Sequence, residues 1–265
     1  MIAPQVPPPS SPVPIFASSE FAPASPIETT GAHVRRRRRG GLIVDLDDTL
    51  YPRDQFVLSG LAAVARHVAD VYGVSADAAF TTMVDAYDGH ERGRELQALC
   101  RRLHLSPDII DELVTVFREH RPSLWLRPGV VDTLQRLRRQ GWRIAILTNG
   151  LPAVQASKVA ALELARLVDG VLYAEQYAPG GKPAMAAFQA ALAYLNLPAA
   201  CCICVGDDPT ADIRGGRAAG LRTIRIARSE ITVAGRHEAD AVIDRFEDLP
   251  SAAHDLLNLV SVDVA

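Results

Sequence analysis

Four short stretches concentrate the side chains able to do chemistry. They are Asp45-Leu46-Asp47-Asp48-Thr49, Thr148-Asn149-Gly150, Gly181-Lys182-Pro183, and Gly206-Asp207-Asp208 with Asp212 following. Carboxylates drawn from distant parts of one chain repel unless a cation lies among them. An all-oxygen set suits a hard cation, and magnesium fits best where a phosphate supplies a further oxygen. A metal and a lysine that offset charge on phosphoryl oxygens, with an in-line nucleophile, are what phosphoryl transfer requires. Asp45 and Asp47 stand two apart, so at the end of an extended strand they project to the same side. One can attack phosphorus while the other handles protons on the leaving oxygen. The chain has only two lysines, Lys158 and Lys182, among 28 basic residues. In so arginine-rich a sequence, a lysine between glycine and proline points to a need for a compact ammonium. Each stretch alone also has a structural reading: an acidic turn, a helix cap at Thr148 and Asn149, a surface dipeptide. Their coincidence favours chemistry.

Short apolar runs alternate with helical patterns, which predicts an α/β fold with a Rossmann-like parallel sheet. Strands are predicted at 42–45, 143–147, 170–174, 202–205, 222–226 and 241–243. Helices are predicted at 130–140, 154–162, 184–195, 212–219 and 249–257. Gly141, Gly170 and Gly220 fall where a helix ends and a strand begins. Ligands of open α/β sheets bind beyond the carboxyl ends of the strands. The acidic and hydroxyl stretches follow the first, second and fourth predicted strands, and Lys182 lies between the third and fourth. Residues 54–127 break the alternation with apolar spacing near 3.6 throughout, which predicts an inserted all-helical domain. The core is then 42–53 with 128–265.

Residues 1–41 are rich in Pro, Ser and Ala and end in RRRRRGG, a composition that predicts a disordered extension. The run 35–39 faces only Glu20 and Glu28 in the tail, so the body is more acidic than the net charge of −3. That run lacks interleaved aromatics and a nucleic-acid module, so it reads as a solvated tail. Hydrophobic residues at 48% and charged residues at 22% suit a globular protein. No run approaches a membrane span, and the proline-broken N-terminus does not read as a signal peptide, so a cytoplasmic location is expected. Cys100, Cys201, Cys202 and Cys204 read as small buried thiols in a reducing compartment, not a zinc site.

In order along the chain, these stretches resemble the four signature motifs of the haloacid dehalogenase-like superfamily. Asp45-Leu46-Asp47-Asp48-Thr49 is similar to its DxDxT motif, Thr148 to its hydroxyl, Lys182 to its lysine, and Gly206-Asp207 with Asp212 to GDxxxxD. The resemblance runs from residue 42 to about 258. It implies a magnesium-dependent phosphatase with Asp45 as nucleophile and Asp47 as general acid/base. It further implies Mg2+ held by the Asp45 carboxylate, the Asp47 backbone carbonyl and Asp207, with Asp208 or Asp212 orienting metal-bound waters. Thr148 would hydrogen-bond the phosphoryl group and Lys182 would steady Asp45 and the phosphate. The helical insert corresponds to a C1-type cap, which closes over the site.

The partner implied is a small phosphate ester: a sugar phosphate, a nucleoside monophosphate or a phosphoglycolate-like acid. Candidates for contact with it are Asn149, Tyr51 and Arg53 and, on the insert, His90, Arg92 and Arg94. Arg92 and Arg94 lie in GHERGRE, a break between predicted helices, and arginine there suits an anionic substrate. A dehalogenase, where aspartate attacks carbon, has no use for a second aspartate in DxD, so Asp47 argues against it. A phosphomutase shares the catalytic set, and a silent binding protein would usually have lost a motif.

Overall fold

The computed structural model describes residues 40–227 and 238–260. The predicted disorder of the tail, and its run 35–39, lie outside these residues. Gly40 and Gly41 are described and buried, so the folded body starts earlier than position 42.

Six strands form one parallel sheet: β1 (Gly41–Val44), β2 (Arg143–Thr148), β3 (Gly170–Tyr173), β4 (Cys202–Gly206), β5 (Arg222–Ile226) and β6 (Ala241–Ile243). Their order is β3-β2-β1-β4-β5-β6. The winding reverses between β1 and β4, which opens a crevice at their carboxyl ends. Register fixes what meets there. Val44 pairs with Ile146 on one side and Val205 on the other, so Asp45 stands level with Leu147 and Gly206.

The strands are buried on both faces, as a parallel sheet requires. Leu42 and Val44 pack with Ile144, Ile146, Ile203 and Val205 on one side. Ile43 packs with Ala145, Leu147 and Cys204 on the other, the alternation of a pleated strand. Helices α5 (Val130–Arg139), α6 (Pro152–Ala161), α7 (Met185–Leu195), α8 (Gly215–Ala218) and α9 (Leu249–Val260) complete this part. Cys100, Cys202 and Cys204 are buried, as read from sequence, but Cys201 is exposed. It closes a short helical turn just before β4, outside the pleat.

The predicted helix 212–219 takes another form. Its first part is a π-helical turn, Pro209–Arg214, and only four residues of α8 follow. The Asp208 carbonyl accepts from the N–H of both Asp212 and Ile213, which widens the turn. Such turns are frequent at functional sites.

Between β1 and β2 lie α1 (Arg53–Tyr72), α2 (Ala76–Asp88), α3 (Glu95–Arg102) and α4 (Ile110–Glu119). Phe56, Gly60, Leu61, Val64, Ala65 and Val68 form the buried stripe of α1, spaced by three and four. Gly73, with φ of 71°, ends that helix in a left-handed cap. Leu61, Val68, Met83, Leu99 and Leu113 close a hydrophobic cluster within the insertion itself. Among the described residues, no helix is long and apolar enough to cross a membrane.

Phe188 on α7 is fully buried against the sheet. Phe188→Ala should lower unfolding stability by about 3–5 kcal/mol, read from urea denaturation of the full chain. A loss below about 1 kcal/mol would mean that this face is not close-packed.

Candidate active site

Asp45 follows β1 directly, and its N–H donates to the Val205 carbonyl at 2.9 Å, tying it to β4. Its Oδ1 accepts from Lys182 Nζ at 2.7 Å, and the same ammonium donates to Asp212 Oδ1 at 2.6 Å. Asp212 Oδ2 accepts from the Asp208 N–H at 3.1 Å. A Cβ on Gly206 would lie 2.2 Å from that oxygen, so only glycine lets Asp212 come this close. Carboxylate oxygens of Asp45, Asp207 and Asp212 lie within 4.8 Å of one another. The Asp47 carboxylate is not in this group. Asp208 spends its Oδ1 on the N–H groups of Thr210 and Ala211, both at 2.7 Å, as the cap of the π-turn. Between the two residues thought to orient metal-bound waters, Asp212 is therefore the one turned into the cluster.

Burial pushes the Asp45 carboxyl up, Lys182 pulls it down, and Asp212 raises it again, to about 7. Burial, then Asp212 and Asp208, raise Asp207 to about 6. Burial disfavours the Lys182 ammonium, but Asp212 and Asp45 outweigh it and hold its pKa above the usual lysine range. Three acids of oxygen-only character, two of them raised by burial and like charge, suit a hard divalent cation.

Asp47 has a separate set of partners. Lys158 Nζ donates to its Oδ1 at 2.7 Å and its Oδ2 at 3.0 Å. The Tyr51 hydroxyl donates to Oδ1 at 2.5 Å, and Gln155 Nε2 to Oδ2 at 2.8 Å. Gln155 Nε2 also reaches Thr148 Oγ1 at 2.5 Å. Lys158 sits 4.5 Å from the Phe56 ring centroid. Burial alone would raise Asp47, but Lys158, Tyr51 and Gln155 together hold it below the usual carboxylate range. Gln155 and Lys158, both on α6, escaped the sequence reading. The signal was present: the chain's only two lysines both stand here.

Apart from the buried Tyr51, these groups line one cavity of about 700 Å³, walled on the insertion side by Phe56, Val57, Leu96 and Phe117. Arg53 lines it. Arg92 does not; its guanidinium stacks 4.1 Å from the Tyr87 ring centroid and lies 3.7 Å from Asp54. His90 and Arg94 are also outside it, whereas Arg118, which the sequence did not single out, is part of its wall. Asn149 lines the cavity, but its side chain is engaged with Lys182. Its Oδ1 accepts from the Lys182 N–H at 2.7 Å and its Nδ2 donates to the Lys182 carbonyl at 2.9 Å. The Asn149 amide thus holds the lysine loop in place.

The family model of haloacid dehalogenase-like hydrolases matches residues 40–220. The chain belongs to this family. A ribulose-1,5-bisphosphate 5-phosphatase of Halopiger xanaduensis is 38% identical over 123 residues, 46% of this chain and about half (51%) of that protein. A glyceraldehyde 3-phosphate phosphatase of Methanopyrus kandleri is 26% identical over 232 residues, 84% of this chain and 98% of that protein. A solved 2-haloacid dehalogenase of Pseudomonas syringae pv. tomato matches with a TM-score of 0.57 and 26% identity, over 83% of this chain and 99% of that one. This haloacid dehalogenase-like hydrolase thus has named relatives of both phosphate and halide chemistry.

Because burial and like charge raise Asp45 to about 7 and Asp207 to about 6, protons compete with a cation for the same oxygens. Divalent-cation affinity should fall as pH drops from 8 to 6, with proton release on binding near pH 7. Calorimetric titration in buffers of different ionisation enthalpy reads both. Affinity independent of pH over that range would remove these carboxylates from the binding set.

Proposed function

We propose that this hydrolase is a magnesium-dependent phosphomonoesterase acting on a small phosphorylated metabolite through a phospho-aspartate at Asp45. The observation that carries this is the second carboxylate, Asp47, held by Lys158, Gln155 and Tyr51 apart from the cluster of Asp45, Asp207 and Asp212. A halide leaves without a proton donor, whereas an alkoxide needs one. Relatives named as phosphatases of small phosphates support the same choice.

The Asp45, Asp207 and Asp212 carboxylates, with the Asp47 backbone carbonyl, would hold Mg2+, which supplies positive charge to the phosphoryl oxygens. The free oxygen of Asp45 attacks phosphorus in line, and the ester P–O bond breaks. The leaving alkoxide takes a proton from Asp47. Lys158 touches both Asp47 oxygens and supplies that proton: burial lowers its own pKa, whereas burial and Asp47 raise that of Tyr51. In the second step Asp47 removes a proton from water, whose oxygen attacks phosphorus and frees Asp45 and inorganic phosphate. Thr148 Oγ1 accepts from Gln155, which leaves its hydroxyl proton to give to a phosphoryl oxygen. Lys182 offsets charge between Asp45 and the phosphate. Residues 54–127 act as a C1-type cap over the parallel-sheet core.

Asp45→Asn should leave the fold intact and reduce turnover below about one thousandth of wild type. Phosphate release and circular dichroism measure this, and activity within tenfold of wild type would displace Asp45 as nucleophile. Excess chelator should stop phosphate release and added Mg2+ restore it; undiminished turnover in chelator would refute the metal assignment.

Lys158 holds the Asp47 pKa down, so its removal leaves burial to push that pKa up. In Lys158→Met the acidic limb of the kcat–pH profile should shift to higher pH, with kcat lowered by about 10- to 100-fold. A limb that stays in place would take Lys158 out of the control of Asp47.

A further inference from the structure

The cavity holds positive charge that its own carboxylates do not use. Lys182 is committed to Asp45 and Asp212, and Lys158 to Asp47. Two arginines line the same cavity: Arg53, the first residue of α1, and Arg118, near the end of α4. Neither guanidinium makes an ion pair or hydrogen bond with another described residue; Arg53 reaches Asp48 only through its backbone N–H.

Their placement follows from how the insertion packs. The rings of Phe56 and Phe117 meet edge to face with centroids 5.8 Å apart, bringing the start of α1 against the end of α4. Arg53 lies one turn before Phe56 and Arg118 directly follows Phe117. The two positively charged positions therefore flank one aromatic pair. The rest of that wall is apolar, with Val57, Leu96 and Val114. A polyol would find no uncharged hydrogen-bonding side chain on this wall. An anion would find two planar donors suited to carboxylate or phosphate.

We propose that the leaving group carries a second anionic group, a carboxylate or a second phosphate a few bonds from the scissile one, which Arg53 and Arg118 hold. This rests on the phosphatase reading of Asp45, and names the class of ester that the site takes. The substrate spans the cavity: the scissile phosphate lies at Asp45 and Lys182, and the second anion lies against the insertion. Each of its contacts with the arginines ties the insertion to the sheet while the ester is in place.

The test uses the full chain with Mg2+ and matched esters. The carboxylate pair is 2-phosphoglycolate against ethyl phosphate; the phosphate pair is 1,3-propanediol bisphosphate against propyl phosphate. p-Nitrophenyl phosphate reports the chemistry itself. Wild type should favour the anionic member of at least one pair by about tenfold or more in kcat/KM, and the pair that shows it identifies the second group. Arg53→Met and Arg118→Met keep the stems and should each cut that preference by several-fold, with the double variant approaching a ratio of one. Arg118→Lys should restore part of it, and added salt should lower it in wild type. A ratio near one in wild type for both pairs, or a ratio unchanged in the double variant, overturns the inference. Failure of wild type to release phosphate from any of the five esters refutes the phosphatase reading instead, and this inference falls with it.

Discussion

Negative charge gathered at the carboxyl ends of two adjacent strands is the constraint on which the rest of this structure turns. Asp45, Asp207 and Asp212 bring oxygens within 4.8 Å of one another, in a place where Asp212 is almost wholly shielded from water. Two unit charges 4 Å apart cost about 4 kcal/mol at an effective dielectric of 20, so such a group exists only where the backbone leaves it no escape. Lys182 offsets part of that repulsion. Burial first, and then the neighbouring acids, raise the carboxyls of Asp45 and Asp207, and such a group suits a divalent cation.

The scaffold removes the escape routes one at a time. Sheet register places Asp45 level with Gly206, and the Asp45 N–H is bonded to β4. The absence of a side chain at Gly206 lets Asp212 move in, and the widened turn begun by the Asp208 carbonyl aims it there. Asn149 clasps the backbone of Lys182 through both ends of its amide, so the ammonium arrives where the acids are. None of these devices is chemical in itself. Each converts a position in the sequence into a position in space.

That conversion explains what the sequence revealed and what it hid. The central strands β1 and β4 are apolar runs buried on both faces, and β5 and β6 match their predicted bounds although β5 carries Arg222 and Arg225. The charged stretches at strand ends were legible because a strand end is a fixed place in a parallel sheet. Helix facing is harder to read. The α6 sequence PAVQASKVAA gives no sign that Gln155 and Lys158, one turn apart, face Asp47 and not solvent. On the insertion, a loop rich in arginine drew attention to Arg92, yet that residue stacks on Tyr87 while Arg118 lines the cavity. Which way a helix presents its polar residues depends on partners far away in the chain. The rarity of lysine was the one compositional clue that reached both Lys158 and Lys182.

Lysine, not arginine, fits both of these positions for a steric reason. At Lys182 a single nitrogen touches Asp45 and Asp212, two carboxylates that arrive from different strands. At Lys158 a single nitrogen touches both oxygens of one carboxylate, under the ring of Phe56. An ammonium spreads three donors around a point and tolerates converging acceptors, whereas a guanidinium directs its donors in one plane and needs room for it. Both residues are only 5% exposed, so neither site has that room. The arginines stand instead on the exposed helical side, where an open cavity gives a planar group space to turn. Among the cations of this cavity, compact charge thus lies among the acids and planar charge on the exposed helical wall.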